Sequence, residues 1–511
     1  MNKVKTLKFN IITAVLPWIF LAIIGFIKIK FFINIYGSEL NGYIQLISQI
    51  YGYISLVEMG FGSAVTFRLY KPLAEGNKKE VAKLFNGCIK IYKKIAIRMA
   101  VIGIITACIL PFVLEYNTLS KVKIISVFLL FVADYYLKYI FDLPCRILLY
   151  ADQKRYKANL IVNTSTLIIK VIELFLILTS INYIFLLSVI ILLNSISYIL
   201  LSYLTRKEYS YIKDVKEYDI TAKEMSKDVM AHKISRIVFY GTDNIIISMT
   251  KGLGLAVASI YGSYNYIVAA VRNILDLFLQ SPLEMLGNRF VKKDASRKEN
   301  FSLYQEFLKA TYFIGIIVSA VFFVSVDKLV VIWINNEYIV SRATMAVFAI
   351  YLWYECVGRT NLTMIEANGK YKETKKIEII CAITNIALSF ILVRKYGILG
   401  VVGATVISMM FLRHPMQIKF IYSDLFKEKR LGYYISFGFY TILMVLCSFL
   451  NLYVIKTFGL YETSSFMNWI ISTIVIALID LIIAFIPMYI FDKSFKDAVK
   501  RFLNKKKKET I

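Results

Sequence analysis

The chain is 511 residues long, 58% hydrophobic and 15% aromatic, with a mean hydropathy of +0.63 and a formal net charge of +27. A surface that apolar cannot face water, so composition excludes an ordinary soluble globular protein. Apolar segments of about 20 residues recur along nearly the whole length, each long enough for a helix to cross a ~30 Å hydrocarbon core, and β-barrel alternation is missing.

About fourteen spans follow in chain order: 9–34, 42–69, 88–114, 122–150, 158–181, 183–205, 229–250, 255–286, 306–326, 341–366, 376–395, 398–422, 432–455 and 467–491. The first, after Lys3, Lys5 and Lys8, is too long for a cleaved leader and lacks a small-residue cleavage site, so it reads as helix one. Connections alternate in charge. One set is basic (Lys71 to Lys83; Lys154, Arg155 and Lys157; Arg289 to Lys298; Lys370 to Lys376; Lys427 to Arg430; Lys505 to Lys508), and the other is short and poor in Lys and Arg. By the positive-inside rule the basic set and both termini are cytoplasmic. The net charge then reads as topology plus attraction to anionic membrane lipids, not as nucleic-acid binding. Six scattered cysteines, Cys88, Cys108, Cys145, Cys356, Cys381 and Cys447, have no CxxC spacing and read as packing residues, not as disulfides or a metal site.

An internal echo organises the spans. "LLYADQKRYKANLIVN" (148–163) is answered by "MIEANGKYKETKKIEI" (364–379), and the basic turns at 71–83 and 289–298 keep nearly the same displacement of about 215 residues. This predicts an N-lobe of six helices (1–205), a polar cytoplasmic linker (206–228), a C-lobe of six (229–425), and two further helices with a basic tail (426–511).

Charges recur inside the spans. "VADYYLKYIFDLPCRILL" (132–149) carries Asp134, Lys138, Asp142 and Arg146 at four-residue steps, and each step advances a helix by about 400°, so the four drift along one face. Each ion left facing lipid at the helix centre would cost about 2.5–3.5 kcal/mol, so the stripe must face protein or water. Similar stripes are His232, Arg236 and Asp243; Arg272, Asp276 and Glu284; Glu355, Arg359 and Glu366; Lys170 and Glu173; Glu58 and Arg68. Drawn from both halves, they predict a shared hydrated cavity between the lobes. Local i, i+4 neutralisation, as in Asp134 with Lys138, Arg272 with Asp276 or Glu355 with Arg359, is the plainer account of any single pair. A cation-rich cavity suits an anionic cargo, and arginine grips phosphate bidentately. The candidates for phosphate contact are Arg146, Arg236, Arg272 and Arg359, supplemented by Lys138 and Lys170. Glu58, Asp134, Asp243 and Glu355 are candidates for carrying a coupling proton or sodium ion, or for holding the cations in place. Glycines in "EMGFGS" (58–63) and "GVVGAT" (400–405) allow bending or close helix approach.

No GxxxxGK[ST] loop, HExxH or DxD pair occurs, so neither ATP hydrolysis by that loop nor metal-dependent sugar-nucleotide chemistry is indicated, and no catalytic residue or cofactor is assigned.

The stretch 36–86, "YGSELNGYIQLISQIYGYISLVEMGFGSAVTFRLYKPLAEGNKKEVAKLFN", resembles the opening of bacterial O-antigen and capsular polysaccharide flippases, the Wzx-type branch of the multidrug/oligosaccharidyl-lipid/polysaccharide (MOP) exporter superfamily. "TDNIIIS" (242–248) and "RKYGILGVVGATVIS" (394–408) resemble their helix seven and helix eleven-to-twelve turn. The likeness spans roughly residues 1–425, and Glu58 stands where relatives often carry Asp. The resemblance implies two six-helix lobes around a central cavity, alternating access in the bacterial cytoplasmic membrane, and undecaprenyl-diphosphate-linked oligosaccharide as cargo. Polysaccharide polymerase or chain-length machinery would be partners. The competing readings are a MATE-like drug or cation antiporter, for which a net-acidic cavity is expected, and a membrane polymerase or glycosyltransferase, for which a large outside loop is expected.

Overall fold

The computed structural model describes residues 3–58, 60–220, 227–291, 296–368, 371–461 and 465–500, with side chains described for all of these except 3–19, 227–233, 277–291, 366–367 and 371–373. Among them regular structure is entirely helical. In chain order the helices are α1 Lys3–Tyr36, α2 Ser38–Ile54, α3 Phe61–Ala74, α4 Lys78–Val113, α5 Lys121–Leu137, α6 Leu143–Ala151, α7 Arg155–Leu178, α8 Tyr183–Glu208, α9 Lys227–Gly241, α10 Asp243–Met249, α11 Gly254–Val291, α12 Arg297–Trp333, α13 Arg342–Ala367, α14 Tyr371–Ser408, α15 His414–Ile418, α16 Leu431–Phe458 and α17 Phe466–Phe491. Nine stretches among the described residues are helices long and apolar enough to cross a membrane. The protein is a multi-pass, all-α membrane protein.

Local chemistry sets the helix ends. The side chains of Asn77, Ser120 and Asn182 cap α4, α5 and α8, accepting from Glu80 N (3.1 Å), Lys123 N (3.2 Å) and Ile184 N (2.9 Å). The second expected span breaks: a 3-10 turn at Ser55–Glu58 precedes Gly60, whose left-handed backbone (φ 70°) interrupts the helix before α3 begins. The eleventh and twelfth expected spans are two helical segments of α14 separated by the non-helical backbone of Gly397 (φ 55°, ψ −130°), and Gly400 lies so close to the first segment that a Cβ there would sit 2.4 Å from Leu392 O. Three π turns interrupt helices, at Lys138–Asp142, Met409–Arg413 and Lys419–Phe426.

The chain divides into two compact units, Met1–Ile237 with Ser248–Ser259, and Val238–Ile247 with Ile260–Ile511. In the first, α1 packs along α7, α4 along α5, and α8 against both α5 and α7. Residues 248–259 are held there by backbone bonds from Glu115 N to Ser248 O and from Leu255 N to Glu115 O, and by Asn41 Nδ2 to Ser259 Oγ (2.7 Å). The polar segment after α8 is strapped to the same unit: Asp219 N bonds Lys83 O, Arg68 pairs with Asp219 (2.9 Å), and Lys83 pairs with Glu217. In the second unit α12 is the hub, packing on α13, α16 and α17. The two halves of the sequence echo each fall at a helix-to-helix junction, α6 to α7 and α13 to α14.

Candidate functional site

Within the first unit the interior charges have partners drawn from neighbouring helices. Glu173 on α7, almost fully buried, is gripped by Lys28 of α1 (2.5 Å) and by Lys170 one turn back (2.6 Å). Asp134 accepts from Asn194 Nδ2 (3.2 Å) and Tyr198 OH (3.4 Å) on α8. Glu58, at the break between α2 and α3, accepts from Tyr92 OH of α4 (2.6 Å). Lys138 stands over the Tyr135 ring, 5.7 Å from its centroid.

The stripe at 134–146 does not run straight. A π turn fits an extra residue into one turn, so the four-residue step no longer repeats the face, and Lys138–Asp142 is such a turn. Asp142 is swung fully out of solvent, and Arg146 Nε donates to its Oδ1 at 2.8 Å. Asp142 thus pairs along its own helix path, whereas Asp134, weighed from sequence as a partner of Lys138, turns to α8.

The second unit brings five elements to one cluster. Tyr240 of α9 donates to Glu355 Oε1 of α13 (2.7 Å) and accepts from Arg413 Nη1 at the end of a π turn (3.3 Å). Arg413 also donates from Nη2 to Glu378 of α14 (2.8 Å) and lies 3.8 Å from the Phe239 ring centroid. Arg272 of α11 stacks over the Tyr240 ring at 4.7 Å, and Arg359 of α13 reaches Asp276 of α11 at 3.2 Å. Here too pairing crosses between helices: Asp276 goes to Arg359 and Glu355 to Tyr240. Asp243, opening α10, accepts from Tyr261 OH (2.6 Å) through Oδ2, while its buried Oδ1 has no partner among the described residues.

Three arginines (Arg272, Arg359, Arg413) thus share the cluster with three carboxylates (Asp276, Glu355, Glu378). Arg359 and Arg413 reach carboxylates directly, while Arg272 stacks on an aromatic face with Glu355 and Asp276 near enough to act on its charge. Arg236 lies exposed on α9. The side chains of His232, Glu284 and Glu366 lie outside the described ones. Among the described residues no group of three His, Cys, Asp or Glu side chains is placed to hold a metal ion.

Sequence reasoning missed Lys28, Tyr240, Glu378 and Arg413. All but the tyrosine are charges inside apolar stretches ("GFIKIKFF", "KKIEIICA", "MMFLRHPM"), and that signal alone would have found them.

The whole-chain path matches solved transporters. A lipid II flippase, MurJ, in an inward closed conformation superposes with a TM-score of 0.69 over 93% of this chain and 98% of that one, at 17% identity. The chain has the fold of MOP-superfamily transporters. An inward-facing MATE multidrug transporter of that superfamily gives a TM-score of 0.55 over 78% of this chain and 94% of that one at 12% identity, and the MATE multidrug transporter DinF-BH gives 0.51 over 84% and 98% at 13%. No protein-family model matches the sequence, and no curated protein matches it.

Proposed function

We propose that the chain is a flippase of the MOP fold that carries a lipid-linked oligosaccharide on a diphosphate, of the undecaprenyl-diphosphate class, from the cytoplasmic to the outer leaflet by alternating access. The observation that carries this reading is length. The MATE structure is spanned almost completely (94%) by 78% of this chain, so it lacks a counterpart for the remainder. The lipid II flippase leaves only 7% of this chain unmatched, fewer residues than α16 and α17 together, so its likeness reaches into the helices beyond the repeat. A long lipid tail is the cargo feature that extra helices can serve.

In this reading Lys138 in the first unit and Arg272 in the second, each held against a tyrosine ring, are the phosphate candidates of their own units. Arg146 and Lys170 in the first unit and Arg359 in the second are already in ion pairs, and Arg236 remains a phosphate candidate on α9. Asp243, with one carboxylate oxygen unpartnered among the described residues, is the carboxylate best suited to a coupling proton or sodium ion; Glu58, Asp134 and Glu355 hold tyrosines and amides in place. The same reading puts the chain in the bacterial cytoplasmic membrane, as the family resemblance implies, and the basic connections support an orientation with both termini inside.

A MATE-like antiporter is the second reading, and the equal number of acids and arginines around Tyr240 favours it, because a balanced cluster does not select an anion by net charge. Reconstituted translocation separates the two. Proteoliposomes loaded with a fluorescent undecaprenyl-diphosphate oligosaccharide should expose it to an outside glycosidase only when the protein is present. Export of a cationic dye with no exposure of the lipid-linked sugar would replace the flippase by the antiporter.

A further inference from the structure

The pair α16 and α17 holds a polar contact that neither cluster uses. Asp480 sits near the middle of α17, where it is the one charged residue of the helix, and is completely buried; so is Asn451 on α16. Asn451 Nδ2 donates to Asp480 Oδ2 at 2.8 Å. The other oxygen of each side chain, Asp480 Oδ1 and Asn451 Oδ1, is buried with no hydrogen-bond partner among the described residues. The thiol of Cys447, one turn before Asn451 on α16, is the titratable group beside Asp480, and no charged side chain among the described residues acts on it from any helix packed there.

An ionised carboxylate at this depth would be without a counter-ion, an arrangement that costs several kcal/mol even after relaxation. Two orphaned acceptors side by side add a desolvation penalty each. One proton removes all three costs. A neutral carboxylic acid and a primary amide form a ring of two hydrogen bonds: the amide N–H donates to one acid oxygen, and the acid O–H donates to the amide carbonyl. The first of these bonds is present, and the two atoms that the second would join are the two without partners. Sodium fits less well, since a hard cation wants about six oxygens and this site offers two.

We infer that Asp480 is a proton-binding site, held as a neutral acid that closes a two-bond ring with Asn451 and clasps α17 to α16.

The proposal is tested on the full-length protein in lipid nanodiscs by infrared spectroscopy, as the difference between wild type and Asp480→Asn at neutral pH. The expected difference contains the carbonyl stretch of a hydrogen-bonded neutral acid, shifted in heavy water and unchanged when sodium replaces potassium. A carboxylate stretch in its place, or a sodium-dependent band, overturns the proposal. Thermal unfolding supplies the second measurement. Asp480→Asn can still close the ring, with two amides, and should keep the wild-type midpoint; Asn451→Leu, which strands the acid, should lower it. An Asp480→Asn midpoint as low as that of Asn451→Leu would overturn the clasp.

Discussion

Arg413 Nη2 donates to Glu378 Oε2 across 2.8 Å, with both side chains about nine-tenths removed from solvent. The pair joins the end of the Met409–Arg413 π turn to α14, and a further contact of the carboxylate is Gln417 Nε2 at 3.4 Å. Breaking such a pair from one side leaves a buried charge alone, typically a loss of about 3–5 kcal/mol, whereas replacing both partners by apolar residues is often neutral. Arg413→Met is therefore expected to lower the unfolding midpoint strongly and Arg413→Met/Glu378→Leu to recover most of it, as measured by a double-mutant cycle in detergent.

Arg272 differs from its neighbours in stacking on a ring face, with Glu355 and Asp276 near enough to act on its charge. Removing it should cost some stability, because those carboxylates lose a neighbouring cation, and also one or two charge-assisted hydrogen bonds to an anionic cargo, each worth about 1.5–3 kcal/mol, or roughly 10–100-fold in affinity. Arg272→Gln is expected to lower the midpoint less than Arg413→Met and to lose about that factor in binding of an undecaprenyl-diphosphate analogue; Arg272→Lys should retain part of it. Titration by fluorescence in nanodiscs checks both, and equal affinities for wild type and Arg272→Gln would remove this residue from the binding surface.

Much of this was legible in the sequence. Hydropathy located the helices, because a backbone in hydrocarbon has almost no other option, and the cost of isolated ions marked Arg272, Glu355 and Arg359 as interior groups. Pairing was not legible. A four-residue repeat suggests a partner on the same helix, yet Asp276 finds Arg359 and Glu355 finds Tyr240, because neighbouring helices offer closer approach than one turn of the same helix. The π turn at Lys138–Asp142 was equally hidden, since an inserted residue changes the face without changing the composition. Arg413 escaped because a search for stripes passes over a charge that stands alone, and Glu378 because it follows directly on the basic turn ending at Lys376.

The strap after α8 should respond to acid. Lys83 bonds the carboxylate of Glu217 and holds it below the usual carboxylate range. A carboxylate depressed in the folded state contributes stability that is complete above its unfolded pKa and lost as pH falls through its folded one. Amide protection at Asp219, whose N–H bonds Lys83 O, is expected to be flat at neutral pH and to fall under acid, after correction for intrinsic exchange. Glu217→Gln should flatten that acid dependence, and added salt should weaken protection in the wild type, because this exposed pair is screened.

Close approach fixes the same strap sterically. A Cβ built on Gly87 would lie 1.8 Å from the Asp219 carbonyl oxygen, backbone against backbone, so no side-chain rotation relieves it. Gly87→Ala must therefore push the strap away from α4 and break three contacts together: Asp219 N to Lys83 O, Arg68 to Asp219, and Asn86 Nδ2 to Val215 O. The expected outcome is trypsin cleavage after Lys213 and Lys216 in Gly87→Ala at protease levels that leave the wild type intact. Helix α4 should keep its own hydrogen bonds, since alanine is the better helix former there, so circular dichroism should not change. Gly438→Ala is the control: its Cβ would meet nothing within 4 Å, and its strap should stay protected. Equal cleavage of the two variants would mean that the strap is held by its ion pairs and not by the fit at Gly87.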